Sequence, residues 1–144
     1  MSDQIIRLII GGVLLVHGLG HIGPLGVYVW VKYRPGDNTS AWRPARSWLF
    51  SSLSPAAATA VASVCWALAL AGFVAAALSF WGILVPGEAW RQLAVASAIP
   101  SILGIVVFFG TWPMFNTLAA LAVNVAVLVT QLWLYWPPQA LFGK

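Results

Sequence analysis

Charge is what this chain has least of. Of 144 residues only 7% are charged, with three Asp/Glu against seven Lys/Arg, net +4. A soluble domain carries about 25% charged residues, and the mean hydropathy here is +0.91. The composition is that of a membrane protein. Cysteine is the next scarcity. A single Cys65 excludes an internal disulfide, a CxxC redox pair and a thiolate zinc site; it reads as a small apolar residue of a core. No carboxylate falls inside an apolar run, which argues against a proton- or cation-coupled carrier. Nothing resembles a nucleophile with its base, so an enzyme is not expected. With two histidines, the chain is far short of a histidine-box oxygenase. The Glu-Arg-x-x-Arg signature of the membrane glutathione transferases is missing, although length and span number match. The basic residues sit beside apolar runs, so they point to lipid headgroups and orientation rather than to nucleic acid.

Long apolar runs are abundant. Four exceed the ~20 residues that cross a bilayer, and they predict spans at about 5–33, 55–85, 89–110 and 115–136. The expected fold is all-α: one domain over residues 1–144, a bundle of four transmembrane helices with a short interfacial segment between the first two. The opening Met1-Ser2-Asp3-Gln4 lacks a basic leader and no cleavage site follows, so the first run reads as a retained span. Gly23-Pro24 predicts a kink there, because Pro24 cannot donate to the Gly20 carbonyl. Ser54-Pro55 is a good helix start, and Pro86-Gly87 a stop. Pro100 frees the Ala96 carbonyl beside Ser97 and Ser101. The short Thr111–Met114 link makes the last two spans an antiparallel hairpin. Ala67, Ala71 and Ala75 form a small-residue stripe suited to helix packing.

The segment from Lys32 to Ser54 holds Lys32, Arg34, Arg43 and Arg46, with Trp42, Trp48, Leu49 and Phe50 among them. It reads as an interfacial piece with its aromatic side toward lipid. The other side of the membrane carries Arg7, Arg91 and Lys144, so the 32–54 loop is expected in the cytoplasm and the termini outside. Trp30, Trp81, Trp90, Trp112, Trp133 and Trp136 fall near span ends, as an aromatic belt would.

The centre of interest is His17-Gly18-Leu19-Gly20-His21. At about 3.6 residues per turn the imidazoles lie one above the other on a single helix face, with Gly12, Gly23 and Gly26 roughly opposite. A titratable group within a span is costly to charge and is a functional candidate by default. Counting from span ends puts Ser97, Ser101 and Asn124 at similar depth. Polar groups in hydrocarbon turn inward and bond one another. A cluster of His17, His21, Ser97, Ser101 and Asn124 is therefore expected, with Tyr28 and Gln131 at opposite margins.

Three uses of the pair stay open. The first is ligation of a divalent metal or haem by His17 and His21, for which a third strong ligand is missing. The second is a site for a quinone or another lipid-soluble molecule, with Gly18 and Gly20 leaving room for a flat ring and Ser97, Ser101, Asn124 and Tyr28 as polar neighbours. The third is helix-to-helix bonding with no ligand, in which the freed Gly20 carbonyl is a ready acceptor.

The first helix resembles one found in small, uncharacterised bacterial four-helix membrane proteins, which carry His-Gly-x-x-His early in the first span. The outline is also similar to the DoxX-like group, some of whose members are small membrane subunits of quinone-linked oxidoreductases. That likeness implies a place in a respiratory-type assembly and names no catalytic residue; the Trp- and Arg-rich first loop departs from it. The expectation is a multi-pass protein of a bacterial inner membrane. It would be an accessory subunit in lipid, either a homo-oligomer or part of a larger complex. The alternative is a ligand- or redox-cofactor-binding protein using His17 and His21.

Overall fold

The computed structural model describes residues 2–26, 45–84, 86–138 and 141. Among these there is no strand. Helix α1 spans Asp3–Gly20, α2 Pro55–Trp81, α3 Trp90–Val107 and α4 Met114–Leu132, and a 3₁₀ turn, Gly87–Ala89, leads into α3. All four are long and apolar enough to cross a membrane, the first counted on to Gly26. The fold class expected from the sequence is the one observed, an all-α four-helix bundle.

The ends follow local chemistry. Ser2 and Ser54 cap α1 and α2, their side chains accepting from the Ile5 and Ala57 amides. The second span stops earlier than expected. Gly82 adopts φ +72°, and the Gly82 and Ile83 amides turn back to the Ser79 and Leu78 carbonyls. This left-handed glycine, rather than Pro86-Gly87, ends α2. Ser79 ties the following loop down by donating to the Pro86 carbonyl. The first helix breaks at His21, three residues before Pro24. The His21 amide donates to Gly18 (3.1 Å) in a tightened last turn, and helix resumes over residues 22–26. Pro100 leaves α3 unbroken.

The helices pack in chain order: α1 on α2, α2 on α3 and α3 on α4. On α2 the buried face is Ala62, Trp66, Ala69, Phe73, Ala76 and Phe80, alternating steps of four and three as in a coiled-coil seam. The stripe expected to pack there, Ala67, Ala71 and Ala75, is exposed or only part-buried. Since every position of α2 is apolar or small, polarity does not mark its inner face; the large-and-small alternation does. Glycines admit the neighbours. A Cβ on Gly18 would lie 3.0 Å from Phe73 Cβ, and one on Gly72 would strike Ser97.

The tryptophans divide. Trp133 and Trp136 are exposed, as a belt requires, but Trp90 and Trp112 are buried in the core. Trp48 is largely exposed and its indole donates to the Val106 carbonyl (2.6 Å), holding the loop before α2 against the end of α3. Leu49 and Phe50 are also exposed. At the other end Arg91 donates to the Pro137 carbonyl (2.9 Å), tying the start of α3 to the chain after α4. Trp30, Trp42 and the residues of the first span from 27 onward lie outside the described residues.

Candidate functional site

Three helices bring four polar side chains into one circuit. His21, the residue that closes α1, is fully buried, as are Ser101 on α3 and Asn124 on α4. His21 Nδ1 lies 3.0 Å from the His17 carbonyl. His21 Nε2 lies 2.9 Å from Ser101 Oγ. The Asn124 amide nitrogen lies 2.7 Å from the same Oγ, and its oxygen lies 3.0 Å from His17 Nε2.

A carbonyl only accepts, so His21 Nδ1 carries a proton and donates to it. In the neutral ring Nε2 is then an acceptor, and Ser101 donates to it. Ser101 in turn accepts from the Asn124 amide. Asn124 Oδ1 accepts from His17 Nε2–H. Each bond then has one donor and one acceptor, and the chain of bonds closes on His17 (side chain at one end, carbonyl at the other). A charged His21 would donate twice, leaving the Ser101 proton without a place in this circuit and a charge in an apolar core, which is expensive.

The rings rest on aromatic walls. Phe73 on α2 meets His17 edge-on with centroids 4.6 Å apart, and Trp112 meets His21 edge-on at 5.3 Å. Phe73 therefore occupies the room at Gly18 that a flat ligand was expected to use. Gly20 stays open, with nothing within 4 Å of where its Cβ would stand.

Of the five residues expected to cluster, His17, His21, Ser101 and Asn124 do so. Ser97 is buried but donates to the Leu93 carbonyl of its own helix. The His21 donor goes to the His17 carbonyl rather than to that of Gly20. Tyr28 lies outside the described residues. Gln131 is buried a turn or two along α4, donating to Thr130 Oγ1 and to the Trp136 carbonyl, both at 2.9 Å.

A cleft of about 540 Å³ opens between α1 and α4 beside this circuit. Leu8, Val13 and Val16 form one wall with His17; Ala119, Ala120 and Val123 form much of the other, with Trp112 and Asn116 at one end. A smaller cavity of about 260 Å³ continues the seam toward Gln131 and Trp136, sharing Ile9, Val13 and Val123. Gly12 lies on this cleft together with His17, not opposite the histidines as the helical projection suggested. Asn116 and Phe73 were missed in the sequence. Asn116 sits near the start of a span, where a polar residue is unremarkable, and Phe73 is one apolar residue in an apolar run.

No group of three or more His, Cys, Asp or Glu that could hold a metal occurs among the described residues. Both ring nitrogens of His21 are spent on hydrogen bonds, so a metal or haem iron at His21 would have to displace them. Comparison with known proteins finds no match for this chain among family models, curated proteins or solved structures.

Proposed function

We propose that this is a non-catalytic membrane protein that holds a lipid-soluble small molecule in the α1–α4 cleft. The observation that carries this reading is the cleft itself. Its volume lies in the range of small-molecule sites, about 300–1,000 Å³, and an apolar wall with a few placed polar groups is their usual make-up. The His17–Asn124 bond crosses the seam at 3.0 Å, which leaves no room for a partner helix to lie between α1 and α4. A ring or an acyl chain fits where a helix, about 10 Å across, does not.

The test uses Gly12. Nothing lies within 4 Å of a Cβ placed there, so Gly12→Leu should fill the cleft without disturbing the fold. Protein purified in mild detergent is extracted and the organic phase analysed by mass spectrometry. A molecule recovered near one per chain from the parent, and lost from Gly12→Leu, supports the reading. Equal recovery from both, or none from either, overturns it.

A second reading is an accessory subunit of a larger membrane assembly, including one linked to electron transfer. It draws on the outward faces, where Val61, Val64, Leu68, Ile99, Phe115 and Leu118 are all exposed in the isolated chain. Lipid covers such a surface equally well. Co-purification of one defined partner at fixed ratio in mild detergent would favour this role.

A further inference from the structure

Resting on the ligand-binding reading, we infer that the cleft selects a molecule that donates a hydrogen bond, a lipid-soluble alcohol or phenol, over one that only accepts, such as a ketone, ether or quinone. The inference comes from the direction of the circuit. His17 uses its Nε2–H on Asn124 Oδ1. That assignment is forced from the far end, by a carbonyl that cannot donate and by two side chains that each have one remaining role. In a neutral imidazole whose Nε2 bears the proton, Nδ1 is an acceptor and nothing else. His17 Nδ1 has no hydrogen bond among the described residues, and His17 is half-buried on the wall of the cleft.

A bare carbonyl placed against His17 Nδ1 would meet this lone pair with its own and gain nothing there. A hydroxyl would donate to Nδ1 and complete the ring's hydrogen bonding. The rest of the ligand would lie against Val13, Val16 and Val123, with the space beside Gly12 and Gly20 left for a ring or chain. Selection thus depends on Asn124, which never touches the ligand: by taking the Nε2 proton's bond, it holds His17 in the accepting tautomer. Asn124 is a positioning residue in this scheme.

The experiment compares a matched pair, a para-alkylphenol and its methyl ether, against protein carrying ¹⁵N-labelled histidine in mild detergent. Affinities are measured by calorimetry and corrected for partition into the micelle. The phenol should bind about tenfold more tightly, the equivalent of about 1.4 kcal/mol, and should shift the His17 Nδ1 resonance while the His21 resonances stay in place. In His17→Phe a ring remains at this position but no acceptor, so both probes should bind with equal affinity. Equal binding of phenol and ether to the parent, or binding without a His17 shift, overturns the selectivity and leaves the binding site standing. Failure of both probes to bind overturns the two together. The resonance shift is read on the parent protein and so does not depend on the variant folding.

Discussion

Asn124 joins three helices with one amide, donating to Ser101 on α3 and accepting from His17 on α1. Both bonds are between elements, and a side-chain bond inside a membrane protein contributes about 0.6 kcal/mol, up to about 1.7. Asn124→Ala should therefore lower stability by about 1–2 kcal/mol, seen as a lowered midpoint of thermal or denaturant unfolding in detergent. Ser97 supplies the contrast. It lies one turn from Ser101 on the same helix but bonds only its own helix, so Ser97→Ala should cost about 0.6 kcal/mol or less. If the two substitutions cost the same, the circuit is not what ties the helices together. Composition and span counting make all four of the circuit's side chains legible. They do not reveal that Ser97 stands apart, because Ser97 and Ser101, four apart, share residue type and helix face; only the packing decides that the level of Ser97 meets Gly72 while that of Ser101, one turn on, meets His21 and Asn124.

At the scale of elements, the decisive contacts are those of α2. Its inner face alternates Ala62, Ala69 and Ala76 with Trp66, Phe73 and Phe80, so each large ring has a small neighbour to lie over. The close approach of α3 at Gly72 depends on there being no Cβ, since one would strike Ser97. Gly72→Val should overpack this crossing and cost about 1–3 kcal/mol, and Ser97→Gly in the same chain should recover part of that loss. Gly12→Ala, inside α1 with open space at its Cβ, should not lower stability and should raise it by up to about 1 kcal/mol through helix propensity. The three melting curves, taken together, separate a packing glycine from a cleft glycine. A helical wheel does not make that distinction: Gly11, Gly12 and Gly18 are equivalent as residues, and only the path of α2 across α1 assigns them different work.

Across the whole molecule the packing is that of a row, α1 to α2 to α3 to α4, brought round so that the two end helices face one another over a cleft. The described contact that closes the seam is a hydrogen bond, His17 to Asn124, rather than a packed interface. The seam should be the first place to loosen. Spin labels at Leu8 on α1 and Leu132 on α4, placed in a Cys65→Ser background, should give a distance distribution that broadens when Asn124 is changed to Val. Labels at Leu68 on α2 and Leu103 on α3 should keep theirs. All four sites are exposed, so the labels themselves should not perturb the packing. Equal broadening of both pairs would mean that Asn124→Val loosens the whole bundle and that the seam is not its weak edge.

Low charge, long apolar runs and punctuation by proline and glycine were enough, on their own, to establish four helices, their approximate positions and the level of the polar residues along them. Those properties follow from hydration and backbone geometry, which act locally along the chain. Which face each helix turns inward, which glycines are filled, and the open seam beside His17 came only from the tertiary arrangement. The reason is physical. Where nearly every side chain is apolar, hydrophobicity no longer distinguishes inside from outside, and shape complementarity between helices distant in sequence takes its place.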